Sequence, residues 1–194
     1  MDIFVQDEKL NISKTYLKPG FAFGGSCLPK DTRAFNYLAR SLNTKTPLLN
    51  SLIPSNENQI KSVVKRIMAM GKKKIAVAGF AFKANTDDMR ESPIVEVIEI
   101  LLGKGYDLKI YDKSVSLARL TGANKTFLEK HIPHISNLMV DSIDELTKDR
   151  DMIIIGNSDK QFKEIVKNSK KNQVIFDLVR IDEDAKENYE GLYW

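Results

Sequence analysis

One cysteine, Cys27, and two histidines, His131 and His134, are all that 194 residues supply of the soft ligand and nucleophile types. An internal disulfide is excluded, and a lone thiol suits a reducing compartment. His131 and His134 flank Pro133 with no further histidine or cysteine to complete a ligand set, so no metal is expected. No apolar run approaches the ~18 residues of a membrane span, and the first residues lack the basic stretch and apolar core of a signal peptide. Lys and Arg are spread along the chain without a long run or interleaved aromatics, which argues against nucleic acid. The fingerprint G-x-G-x-x-G is absent as well. The expectation is a soluble cytoplasmic protein with neither a membrane nor a nucleic-acid partner.

What is present is ordinary in bulk: 42% hydrophobic, 29% charged, net charge +4. That mild excess suits a small anionic ligand such as a nucleotide diphosphate at least as well as a polyanion. Residues 1–10 read as the tail of a helix and 11–19 as a polar connector carrying Tyr16 and Lys18. Helical spacing of apolar residues follows over 29–42 and again over about 48–70, where Pro54 either kinks the helix or moves its start to about Ser55. From Gly71 the pattern changes. The near-continuous apolar run 74–80 reads as a buried parallel strand, followed by a helix over 93–104 and a strand over 108–111. Helical patches around 115–120 and 125–131, a short strand at 137–140 and a capped helix start at 142–147 come next. A strand over 152–156, a helix over 160–166 and a last strand over 174–178 complete the alternation. The class is α/β: a helical segment over 1–72, then a Rossmann-like doubly wound parallel sheet over 73–194. The acidic stretch 182–190 reads as a solvated tail.

The chain is organised around residues 20–31, G-F-A-F-G-G-S-C-L-P-K-D. Cys27 follows a Gly-Gly-Ser turn and precedes Pro29, a residue favoured in the first turn of a helix. A sulfur at a helix start, close to Lys30, is in surroundings that stabilise thiolate. Glycines 20, 24 and 25 let backbone approach a ligand, Phe21 and Phe23 offer apolar surface, and Asp31 stands one helical turn on, placed to orient a water or cap the helix. The plainer alternative stays open: a single cysteine often serves as a small buried hydrophobe, and Pro-Lys-Asp is an ordinary helix start.

Past the first strand, residues 83–90 occupy the crevice where open parallel sheets bind ligands. Lys83 and Arg90 there suit a phosphate or diphosphate; equally, both can be solvated partners of Asp87, Asp88 or Glu91. Asp112 ends the second strand and reads as a turn aspartate in the absence of a glycine fingerprint.

The stretch G-F-A-F-G-G-S-C-L-P-K-D, followed at 79–93 by G-F-A-F-K-A-N-T-D-D-M-R-E-S-P, resembles the UDP-glucose/GDP-mannose dehydrogenase family, with its GDP-mannose branch the most similar. The resemblance covers essentially the whole chain and corresponds to the C-terminal half of such enzymes, without their NAD-binding domain. It implies a four-electron oxidation of a nucleotide sugar, GDP-mannose to GDP-mannuronate, for acidic polysaccharide synthesis, with NAD bound mainly by a domain absent here. By similarity Cys27 is the nucleophile that passes through a thiohemiacetal and a thioester, and Asp31 orients the hydrolytic water. Tyr16, Lys18, Phe21, Gly24 and Lys83 resemble substrate contacts; Lys30 and Arg90 resemble contacts to NAD. A homodimer through the segment 1–72 and a nucleotide-sugar site in 73–194 are implied, and the chain alone is expected to be inactive. A non-catalytic nucleotide-sugar-binding or assembly module of the same ancestry is the alternative, and a redox-sensing thiol protein ranks below both.

Overall fold

The computed structural model describes residues 3, 6, 7, 9, 13, 20–115, 122–133, 135–182 and 187–192. Tyr16, Lys18, His134, Trp194 and most of the predicted helical stretches 1–10 and 115–120 lie outside the described residues.

Two helices lead: α1 (Leu28–Ser41) and α2 (Pro47–Ala69). Each carries a proline in its first turn, where the missing N–H has no intrahelical partner to lose. The predicted start of the second helix near Ser55 does not hold, because α2 begins at Pro47 and runs through Pro54. Pro54 removes one backbone bond in the second turn. The remaining turns, with Ile60, Val63, Val64 and Ile67 buried, hold the helix.

The sheet follows. β1 (Lys74–Ala78), α3 (Pro93–Gly103), β2 (Asp107–Tyr111), α4 (Gly122–His131), α5 (Ile143–Thr147), β3 (Met152–Ile155), α6 (Phe162–Asn168), β4 (Val174–Asp177) and β5 (Tyr189–Gly191) succeed one another along the chain. The strands lie in the order β2-β1-β3-β4-β5, all parallel. The register sets Lys74 opposite Asp107, Ile75 opposite Met152 and Met152 opposite Val174. Side chains alternate across the sheet. Ile75, Val77, Ile154 and Phe176 pack with α2 and α3 on one face, while Ala76, Ala78, Ile153 and Ile155 pack with α5 and α6 on the other. Each fully buried Ile or Phe of this kind contributes about 1.5–3 kcal/mol.

Two expectations are corrected. Residues 174–178 are not the last strand, and the acidic stretch is not wholly a solvated tail, since Tyr189–Gly191 pairs with β4 as the sheet edge. Side chains rather than hydrophobic pattern fix β5. The Tyr189 hydroxyl donates to the buried Asp177 carboxylate, the Asn188 amide donates to the Lys170 and Gln173 carbonyls, and Glu190 meets Arg66 of α2 at 3.2 Å. The strand predicted at 137–140 is reduced to a 3-10 turn (Ile135–Asn137) and one bridge, Met139 to Ile110 on the outer side of β2. Among the described residues no helix is long and apolar enough to cross a membrane.

Candidate active site

Cys27 is exposed and occupies the N-cap position of α1, with φ −98° and ψ −63°. Its carbonyl accepts the first helical bond, from the Asp31 N–H at 2.8 Å. The free N–H groups of that first turn and the helix dipole favour negative charge at this end. Lys30 and Asp31 are both exposed on the opening turn, 3.5 Å apart.

The approach to Cys27 is held on two sides. On one, the Asn56 side chain of α2 takes both backbone groups of Phe23: Oδ1 accepts from the Phe23 N–H at 2.9 Å and Nδ2 donates to the Phe23 carbonyl at 2.7 Å. On the other lies the loop from β1 to α3. A Cβ at Gly24 would collide with the Glu91 carbonyl oxygen and lie 2.6 Å from Pro93 Cδ, so only glycine fits there. Gly25, in the left-handed region at φ +83°, lies under the Phe82 ring, where a Cβ would come within 2.7 Å. Glu91, itself at φ +52°, receives a bidentate pair from Arg33 of α1 at 2.6 and 2.7 Å.

Both cations predicted at the strand mouth are on that second loop. Arg90 is bound by Asp88, Nε to Oδ1 at 2.9 Å and Nη2 to Oδ2 at 3.0 Å. Its guanidinium holds the Asp88 carboxyl below the usual carboxylate range, helped by the Ser26 hydroxyl. Asp88, by hydrogen bond and then by charge, makes Arg90 hold its proton more tightly than usual. Ser26 Oγ is 3.9 Å from Cys27 Sγ, so hydroxyl, thiol, carboxylate and guanidinium form one polar cluster across the two loops. Lys83 is exposed farther along the same loop. Thus the structure gathers Cys27, Gly24 and Arg90, sets Lys30 and Asp31 on the adjoining turn, and leaves Lys83 toward solvent.

Two depressions flank the loop. A groove of about 770 Å³ opens beside Pro29 and Arg90 and runs between α2, α3 and α4, past Phe23, Ile60, Glu96 and Phe127. Cys27 does not line it. On the other side a shallow recess of about 360 Å³ lies between 20–23 and α2, lined by Phe21, Leu52, Ser55 and Asn56.

The mouth of β1, where a dinucleotide fold would hold a pyrophosphate, is filled. The Asp112 carboxylate accepts from the Phe80 and Ala81 N–H groups at 3.0 and 3.1 Å and from Asn157 Nδ2 at 3.1 Å. Asn157 also packs on Gly79, where a Cβ would lie 2.5 Å from its side chain. The amides a phosphate would use are already satisfied, so the described residues form no dinucleotide cradle. Among them no group of acidic, histidine or cysteine side chains could hold a metal ion. The arrangement therefore offers an exposed thiol on a loop braced by Asn56 and by the β1–α3 loop, with a cation nearby. Asn56 and the Arg33–Glu91 pair were not legible as site residues, because contacts across 33 and 58 positions leave no local pattern.

Residues 76–183 match the model described as "UDP-glucose/GDP-mannose dehydrogenase family, UDP binding domain", and residues 1–58 match that family's central domain. The chain is 45% identical over 195 residues to the GDP-mannose 6-dehydrogenase of Pseudomonas aeruginosa, covering 100% of this chain and 45% of that protein. The UDP-glucose 6-dehydrogenase of Rickettsia felis is 34% identical over 174 residues, covering 87% of this chain and 36% of its own. A crystal structure of a ternary complex of GDP-mannose dehydrogenase from Pseudomonas aeruginosa matches with a TM-score of 0.87 at 45% identity, over 100% of this chain and 45% of that one. The chain spans less than half the length of these relatives.

Proposed function

Because this chain belongs to the UDP-glucose/GDP-mannose dehydrogenase family, we propose that it supplies the nucleophile and the nucleotide-sugar site of an NAD-dependent GDP-mannose 6-dehydrogenase. The observation that carries the reading is Cys27, exposed at the start of α1 on a loop held from both sides, in a chain 45% identical to enzymes of that name. The 6-hydroxymethyl group of GDP-mannose is oxidised twice, and NAD, which this chain would meet only through Lys30 and Arg90, would supply the hydride acceptor. Cys27 Sγ adds to the aldehyde carbon as thiolate, giving a thiohemiacetal; after the second oxidation the carbon is a thioester of Cys27. Asp31, one turn on, orients the water that displaces the sulfur, releasing GDP-mannuronate, a building block for acidic polysaccharide, and returning the free thiol.

Phe21, Gly24 and Lys83, together with Tyr16 and Lys18 outside the described residues, contact the substrate. Lys30 and Arg90, both on the side of Cys27, meet the cofactor. Residues 1–72 form the dimerising segment and 73–194 the nucleotide-sugar domain. Support for a homodimer comes from α1, which turns Leu28, Phe35, Leu38 and Leu42 to solvent at 52–66% exposure.

Calorimetric titration of the chain with GDP-mannose and, separately, with UDP-glucose tests the reading. Selective binding of GDP-mannose, with iodoacetamide labelling of Cys27 slowed by the bound sugar nucleotide, is the expected result. Preference for UDP-glucose would reassign the substrate branch, and steady NAD reduction by the chain alone would overturn the division of labour.

A further inference from the structure

We propose that Asn56 is the positioning residue of the Cys27 loop, holding Phe23 by both its backbone groups so that the sulfur stays at the start of α1. The inference deepens the reading of Cys27 as nucleophile and rests on it for its meaning. Its test reads the thiol alone, so that either can fail without the other.

The geometry singles out asparagine. One side chain from α2 does for Phe23 what a neighbouring strand would do, accepting from its N–H at 2.9 Å and donating to its carbonyl at 2.7 Å. Aspartate would keep the acceptor and lose the donor, glutamine would carry the amide one methylene too far, and serine would offer a single atom. A buried or half-buried peptide left without these partners loses bonds that water cannot fully replace.

What makes this a matter of position is the chain between Phe23 and Cys27. It consists of Gly24, Gly25 and Ser26, the most permissive backbone of the region. Contacts of Gly24 with the Glu91 carbonyl and of Gly25 with the Phe82 ring are steric fits, which stop the loop from moving inward. Neither draws it back if it moves out. Asn56 of α2 holds Phe23 by two hydrogen bonds, and at the far end of the loop the Ser26 hydroxyl meets Asp88. The fold's apolar core lies in the sheet and in the second half of α2, and Phe21 and Ala22 pack against it, so the stretch left to Asn56 is the one from Phe23 onward. Releasing Phe23 should therefore free the glycines to swing Cys27 off the first turn of α1 while the core stays intact.

The experiment compares Asn56→Ala with Val63→Ala in the whole chain. Val63 is on the same helix and fully buried, so its truncation destabilises the fold without touching the loop. Three quantities are read well below both melting temperatures: amide exchange at Phe23, the rate of Cys27 alkylation by iodoacetamide from pH 6 to 9, and Tm. Cys27 is the only cysteine, so labelling is site-specific. With Asn56→Ala, Phe23 exchange is expected to rise ~10-fold or more, and alkylation near pH 7 to slow by roughly three-fold or more as the thiolate loses the helix terminus. With Val63→Ala, Tm is expected to fall further while the alkylation rate stays within about two-fold. If alanine at 56 prevents folding, Asn56→Asp is measured instead, and slower alkylation is again expected. An alkylation profile unchanged by the variant at 56, or changed as much by Val63→Ala, overturns the proposal.

Discussion

The sheet and α1 treat their apolar residues in opposite ways. In β1 and β3 every residue from Ile75 to Ala78 and from Met152 to Ile155 is fully buried, closed over by helices on both faces. Along α1 the buried positions are Pro29, Thr32 and Asn36, whereas Phe35, Leu38 and Leu42 are 60%, 52% and 66% exposed. Thr32 bonds back to the Leu28 carbonyl and Asn36 donates to the Leu49 carbonyl of α2, so it is the polar stripe that packs inward. Helical spacing shows that a stripe exists and is silent about what covers it. The sheet buries its apolar side chains against neighbouring helices; α1 leaves its own in solvent.

Removing a core atom group and removing an exposed one should separate the two regions sharply. Ile154→Ala, in the central strand, is expected to cost about 2–5 kcal/mol, read as an early midpoint in urea denaturation. Asp112→Ala would strip the partner from the Phe80 and Ala81 amides and from Asn157 in a buried site, and should cost about 2–4 kcal/mol by the same measurement. The double change Phe35→Ser, Leu38→Ser should alter the unfolding midpoint of dilute protein by less than about 0.5 kcal/mol, while abolishing self-association in sedimentation equilibrium. A large loss of stability in the dilute monomer would show that the stripe is covered within one chain.

The smallest effect concerns the groove between α2, α3 and α4. Burial first, then the charges of Glu57 and Glu99, raise the Glu96 carboxyl above its ordinary value, against the pull of Lys61 and His131. A carboxyl raised in the folded state binds its proton more tightly there than when unfolded, so stability is lost as pH rises through the titration. Glu96→Gln escapes that loss. Its Tm at pH 7 should exceed that of the parent by roughly 1–3 °C, and the advantage should vanish below about pH 4, as differential scanning calorimetry across the range would reveal.

The same contrast explains what could be read from the residues alone. K-I-A-V-A, M-I-I-I and V-I-F-D are apolar runs with no other sensible use, and each is a strand. Y-E-G, the fifth strand, is legible only through its anchors: the Tyr189 hydroxyl on Asp177, Asn188 on two carbonyls, Glu190 on Arg66. Burial and the Asp177 carboxylate keep that phenol protonated far above the usual tyrosine range. Around the site, Cys27, its glycines and Asp31 are contiguous and announce themselves. Arg90 was read at a strand mouth with an acidic partner as one alternative, and Asp88 is that partner. Asn56 sits in the polar run 55–59, S-N-E-N-Q, where nothing marks its amide off from its neighbours as the one that serves a loop 33 residues away.

Asp112, at the mouth of β1, also bears on the kinetics of folding. Oδ1 of its buried carboxylate accepts from the nearby Ser114 N–H, while Oδ2 depends on groups 31, 32 and 45 residues distant, from the ends of β1 and β3. Until both strands are docked against β2, a charge entering the interior has too few donors, and partial assemblies are penalised. Contacts of such sequence separation form late in folding, after the loop-closing entropy has been overcome. The rim of the sheet should then set in one step, and Asp112 variants should speed unfolding much more than they slow folding.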